Sequence, residues 1–188
     1  MKNRPAPPFF DLDFLVPPRQ IAVIVSSYNA SITDRLRDGA VKAISARWGS
    51  GKAEVVRSPG SFELCALALA AAECDRFAGI VALGCLIHGE TMHDRHIAAA
   101  VAHGLVEVTL KTGLPVAFGV ITAETTEQAK ARAGGAKGNK GVEAAEAVMD
   151  TVEAMEAMRR GPARASRPRA LPDKARTLKK KTSKGMGN

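Results

Sequence analysis

The sequence predicts an α/β fold in which two layers of helices cover a four-stranded parallel sheet, and three observations carry that prediction. Four short apolar runs have the length of strands: QIAVIVS at 20–26, AEVVR at 53–57, IVAL at 80–83 and PVAFGVI at 115–121. The first and third are almost continuously apolar instead of alternating, as expected of strands buried on both faces. Stretches of helical length and composition separate the runs, and strand–helix–strand repetition gives right-handed crossovers and a parallel sheet.

Taken in order, residues 1–19 read as an irregular arm. Pro5, Pro7, Pro8, Pro17 and Pro18 interrupt any regular element, and Phe9, Phe10, Phe14 and Leu15 between them suit contact with a surface, a neighbouring subunit's included, as well as a frayed terminus. Residues 20–160 form the α/β domain. Its first strand ends at Ser27-Tyr28-Asn29, and Asn29 or Ser31 is placed to cap a helix through Trp48 with Ile32, Leu36, Ala40, Ala43 and Ile44 on one face. Gly49-Ser50-Gly51 stops it. The second strand leads through Ser58-Pro59-Gly60-Ser61-Phe62-Glu63 into a helix ending near Cys74.

After the third strand comes GCLIHGETMH, residues 84–93. Gly84 and Gly89 permit a tight turn, and Glu90, Thr91 and His93 stand where a helix begins and free N–H groups face an anion. That helix is closed by Thr112-Gly113. After the fourth strand Thr125 opens a short helix, which ends near a glycine-rich loop at 134–141. A last helix covers 142–158.

Composition narrows the function classes. A hydrophobic content of 46% excludes wholesale disorder, while only 4% aromatics leaves Ala, Val, Ile and Leu to build the core. Residues 161–188 hold nine Lys or Arg against one acid, Asp173, and so account for the whole net charge of +8. The body is neutral, and the tail reads as disordered and basic, with solubility or weak polyanion binding as its role. Three cysteines without CxxC spacing read as reduced thiols. No apolar run reaches the roughly 18–20 residues that span a bilayer. The first fifteen residues carry Pro and Asp in place of a signal peptide's apolar core, so a soluble, cytoplasmic protein without a membrane role is expected.

In a parallel sheet, ligands bind beyond the carboxyl ends of the strands, at the point where strand order reverses. Those ends are where the informative residues of this chain fall. Singly, each also has an ordinary role. His93 and Glu63 suit helix starts, Tyr28 and Phe118 suit a core, and Arg132 and Lys140 suit a solvated surface. His88, His93 and His96 lack a zinc-site spacing, so no metal is expected. Cys85 suits a buried, inert thiol as well as a reactive one.

Together, SYN after the first strand, PGSFE after the second, ALGCLIHGETMH after the third, PVAFGVIT at the fourth and RAGGAKGNKG near the end resemble the lumazine synthase family over about residues 19–158. The resemblance implies a flavodoxin-like three-layer sandwich. It also implies condensation of 5-amino-6-(ribitylamino)uracil with 3,4-dihydroxy-2-butanone 4-phosphate to 6,7-dimethyl-8-ribityllumazine, with release of phosphate and water and no cofactor or metal. The implied assembly is a homopentamer with sites between subunits, and a decamer or sixty-subunit shell remains open.

Carried onto this chain, the resemblance makes Tyr28 the residue that stacks on the pyrimidine, with Asn29 beside it. Ser61, Phe62 and Glu63 lie at the ribityl and ring polar groups, and Cys85, Leu86 and Ile87 line the ring edge by backbone. Glu90 and Thr91 receive the phosphate, with Arg132 binding it and Lys140 near it. His93 transfers protons, and Phe118 closes the pocket from the adjacent subunit. Two departures stand out. His88 occupies the place of a basic Arg or Lys, and Asp94-Arg95-His96 follow His93 where the family has an aromatic and then an acid. The alternatives are a catalytically impaired shell-forming or lumazine- or riboflavin-binding homologue, and a polyanion-binding protein acting through its tail.

Overall fold

β1 (Gln20–Ser26) is an inner strand, and every residue after Gln20 is buried because helices cover both of its faces. The computed structural model describes residues 20–160, so the arm expected at 1–19 and the tail expected at 161–188 lie outside the described residues. With β2 (Ala53–Ser58), β3 (Phe77–Ile87) and β4 (Val116–Ala123), β1 forms a sheet in the order β2-β1-β3-β4. Every pairing in it is parallel. The chain thus reverses direction across the sheet at β1, whose neighbours are β2 on one side and β3 on the other. This is the flavodoxin-like sandwich that the sequence predicts.

The alternation of side chains along β1 divides the core in two. Ile21, Val23 and Val25 face α1 (Ala30–Trp48) and α5 (Lys140–Arg160), meeting Ile32, Leu36, Ile44, Val148 and Met149. Ala22 and Ile24 face α2 (Leu64–Glu73) and α3 (His93–Thr112), meeting Leu64, Ala68, Val101 and Leu105. Each fully buried Ile, Leu or Val contributes roughly 1.5–3 kcal/mol over its exposed state, so these two clusters are the main source of stability. α4 (Thr126–Ala131) is short and is capped by the Thr125 hydroxyl, which accepts from the Gln128 N–H at 3.3 Å. Gly113 closes α3 in the left-handed conformation, φ 70°.

Two local expectations are corrected and one is met. β3 runs from Phe77 through Ile87, so Gly84 lies inside a strand and makes no turn. Its role is space: a Cβ there would stand 2.6 Å from the Ser61 Oγ and 3.3 Å from the Val120 Cγ1. α3 begins at His93, as expected, with Glu90 and Thr91 in the connection ahead of it. The glycine-rich stretch is a hairpin of β5 (Ala133–Gly135) and β6 (Gly138–Asn139) that feeds α5.

Asn139 ties that hairpin down. Its Oδ1 accepts from the Gly141 and Val142 N–H groups at 2.8 and 3.4 Å, and its Nδ2 donates to the Arg35 carbonyl at 2.9 Å. At Gly141 a Cβ would fall well inside van der Waals contact with the Leu36 carbonyl oxygen, so glycine lets α5 start flush against α1. Their far ends are joined by Arg47, which binds Asp150 and Glu153 at 2.6 Å each.

Candidate active site

The carboxyl ends of β1, β2 and β3 and the first turns of α3 enclose a cleft of about 660 Å³. That volume lies within the range of small-molecule sites. Tyr28, Asn29, Ser61, Phe62, Glu63, Cys85, Leu86, Ile87, Thr91 and His93 line it, together with Gly60, His88, Gly89, Asp94 and Ile97. The cleft therefore gathers most of the residues that the sequence singles out. It does so at the reversal of strand order, where both flanking connections leave the sheet in opposite directions.

Each wall has a local cause. After β1, Asn29 adopts the left-handed conformation (φ 56°) that Asn tolerates better than most residues. It stands at the helix-cap position, as expected, but its side chain does not cap. Instead its Nδ2 donates to the Cys85 carbonyl at 3.0 Å, fastening the β1 end to β3. The buried Thr33 hydroxyl donates to the Ser26 carbonyl at 2.8 Å and anchors the start of α1 below the cleft. Tyr28 is then left 70% exposed and Phe62 60% exposed on opposing connections. Two aromatic faces open to solvent at a cleft mouth are available to a planar ring.

The polar groups divide by burial. The Ser61 Oγ is buried and has no hydrogen-bond partner among the described residues. A buried hydroxyl with an unmet bond is costly unless something supplies one, so it marks a place where a polar ligand atom would be welcome. Glu63 is exposed, and its Oε2 would lie 2.8 Å from a Cβ on Gly60, so glycine makes room for the carboxylate. Burial pushes the Cys85 thiol up to about 11, which keeps it protonated and unreactive near neutral pH. His93 is the exposed first residue of α3, with Thr91 two residues ahead of it.

Four expected residues lie away from this cleft within the single chain. Glu90 is exposed in the β3–α3 connection. Phe118, 40% exposed, stands on β4 at the edge of the sheet. Arg132 ends α4, and its carbonyl accepts from the Lys140 N–H at 2.8 Å. The Lys140 ammonium pairs with Glu143 at 2.9 Å. One feature of the cleft went unforeseen: Asp94 turns back to His88, with Nδ1 at 3.3 Å from each carboxylate oxygen. Spacing alone gave no signal for this pair, because the contact depends on how the intervening connection folds.

Among the described residues, no group of three or more His, Cys, Asp or Glu is arranged to hold a metal ion. Nor is any described helix long and apolar enough to cross a membrane.

The family model described as 6,7-dimethyl-8-ribityllumazine synthase matches residues 18–156. A 6,7-dimethyl-8-ribityllumazine synthase of Xanthomonas oryzae pv. oryzae is 41% identical over 128 residues, covering 68% of this chain and 83% of that protein. The 6,7-dimethyl-8-ribityllumazine synthase 1 of Caulobacter vibrioides is 43% identical over 119 residues, covering 63% and 77%. A Rhodopirellula baltica enzyme of the same name is 41% identical over 122 residues, covering 64% and 79%. A match that spans the whole sheet, every residue lining the cleft and all but the last turn of the covering helices places this chain in the 6,7-dimethyl-8-ribityllumazine synthase family.

Proposed function

We propose that this chain is a transferase of riboflavin biosynthesis, condensing 5-amino-6-(D-ribitylamino)uracil with 3,4-dihydroxy-2-butanone 4-phosphate to 6,7-dimethyl-8-ribityllumazine. The observation that carries this reading is the cleft itself. It combines exposed Tyr28 and Phe62 faces, a buried Ser61 hydroxyl without a partner among the described residues, the Glu63 carboxylate and the His93 imidazole in one volume.

In this reading Tyr28 stacks on the pyrimidine, and Ser61 and Glu63 take its ring and ribityl polar groups. The backbone from Cys85 to Ile87 borders the ring edge. Thr91, Glu90 and the N–H groups at the start of α3 meet the phosphate, since a helix start is electropositive and offers free donors. The amine of the uracil attacks the carbonyl of the butanone and water leaves as the imine forms. Phosphate then departs, and ring closure expels a second water. These steps need a proton acceptor and donor effective near neutral pH, which imidazole supplies, and His93 fills that role. Cys85, buried and protonated, takes no part as nucleophile. Orientation of the two substrates supplies much of the remaining acceleration.

What the single chain leaves off the cleft supports an assembly. Phe118, Arg132 and Lys140 lie off the cleft, while Leu69, Val106 and Leu110 expose apolar surface on α2 and α3. A homopentamer in which a neighbour's Phe118 and Arg132 complete each site accounts for both, and higher assemblies are compatible with it. The division into an arm (1–19), a catalytic domain (20–160) and a basic tail (161–188) belongs to the same proposal, as does a cytoplasmic location. The tail's role in weak polyanion binding rests on its charge alone. Salt-sensitive nucleic-acid binding that survives deletion of 161–188 would rule that role out.

The test of the reaction is formation of the lumazine chromophore from the two purified substrates, matched mole for mole by phosphate release. Absence of both in the assembled protein would reject it.

A further inference from the structure

His88 and Asp94 both line the cleft, and their side chains touch. His88 is the first residue after β3, and its N–H donates to the Ala123 carbonyl at 2.8 Å, so its backbone is fixed to the end of β4. Asp94 is the second residue of α3. Both of its carboxylate oxygens lie 3.3 Å from the His88 Nδ1. The pair thus spans the two ends of the connection that holds Gly89, Glu90, Thr91 and Met92 and delivers His93 to the cleft.

The contact is partly shielded from water. The Asp94 side chain is 16% exposed and that of His88 35% exposed, and both line the cleft. Burial works against an ionised Asp94. The hydrogen bond and charge of His88, with N–H groups of the first turn of α3, outweigh burial and hold the carboxyl below its ordinary range. Asp94 also suits a helix start on dipole grounds, but a dipole role alone requires no approach to His88. A short connection containing glycine has many conformations open to it. Tying its two ends together before substrate arrives removes ordering that binding would otherwise have to complete.

We propose that Asp94 is a positioning residue: by holding His88 it closes the β3–α3 connection and fixes Thr91 and His93 against the phosphate-bearing substrate. The kinetic half of this proposal rests on the cleft being the site of lumazine formation. The structural half does not, and the test separates them.

Amide hydrogen exchange of residues 88–92 in the assembled, ligand-free protein reads the clasp without any reaction. Exchange about fivefold faster or more in Asp94→Ala and His88→Ala alike is expected, with Asp94→Asn intermediate because its amide oxygen still accepts from an Nδ1–H. Exchange unchanged from the intact protein overturns the clasp. In steady-state kinetics, kcat/KM for the butanone phosphate is expected to fall about tenfold in Asp94→Ala, with KM for the pyrimidine little changed. The double variant should be no worse than the worse single one, since both remove one interaction. Losses that multiply in the double variant, or an equal rise in pyrimidine KM, overturn the positioning role. An intact protein that makes no product rejects the proposed reaction, and hydrogen exchange still decides the clasp.

Discussion

The side-chain amide of Asn29 donates to the carbonyl of Cys85 across 3.0 Å, joining the end of β1 to the end of β3 beneath the cleft. This bond uses the polar side chain that would otherwise cap α1, and it requires the left-handed backbone at Asn29. Asn29→Ala therefore loses the bond and strains the backbone, and is expected to cost about 1–3 kcal/mol. Asn29→Gly loses the bond without the strain and costs less. Denaturant unfolding of the three proteins checks the order, and equal losses for Ala and Gly would contradict it.

Ser61 and Gly84 predict unequal effects on stability. Among the described residues the Ser61 Oγ has no partner to lose, so Ser61→Ala is expected to leave stability within about 0.5 kcal/mol of the intact protein. It should raise KM for the pyrimidine substrate about tenfold. Gly84→Ala instead drives a methyl group to 2.6 Å from that oxygen and is expected to destabilise by about 1–3 kcal/mol. Calorimetry and initial-rate kinetics on both variants separate binding from packing. A large stability loss in Ser61→Ala would show that the hydroxyl has a structural partner.

At the opposite helical layer, Gly141→Ala pushes a Cβ into the Leu36 carbonyl. The obstacle is backbone, which cannot swing aside as a side chain can. A loss of about 3 kcal/mol, or failure to assemble, is expected. A soluble variant of undiminished thermal midpoint would mean that α5 can lift off α1 at no cost.

Cys85 fixes one pH dependence. Its pKa rises from 9.0 to about 11 on folding, so the folded state holds the proton more tightly than the unfolded chain. The resulting stabilisation is intact below about pH 9 and is lost as pH climbs toward about 11. Cys85→Ala is expected to flatten the alkaline limb of the stability profile. In the intact protein, iodoacetamide at neutral pH should modify exposed Cys74 and spare Cys85. Rapid labelling of Cys85 with loss of turnover would contradict a buried, inert thiol.

The layered sheet was legible because its signal is local. A continuously apolar β1 means helices on both faces, and the helical spacing of Ile32, Leu36, Ala40 and Ile44 names the buried face of α1. The cleft was legible for a related reason: its residues follow the strands directly, and a parallel sheet brings those ends together. Long-range contacts could not be read. Gly84 resembles a turn in sequence, and only the Ser61 side chain arriving from another connection explains it as space. The same holds for Gly141 against Leu36. Asp94 could be placed near His93 by number, but its bond to His88 depends on a connection whose path no periodicity encodes.

His93 is the proposed proton-transfer residue for lumazine formation in the cleft between the β1 and β3 ends. The most direct measurement compares steady-state product formation by the intact chain and by His93→Ala at equal assembly. Stoichiometric lumazine and phosphate are expected from the intact protein, and a loss of about 10²–10⁴-fold in kcat from the variant, with KM for the pyrimidine little moved. Turnover by His93→Ala within about twofold of the intact protein would contradict that role.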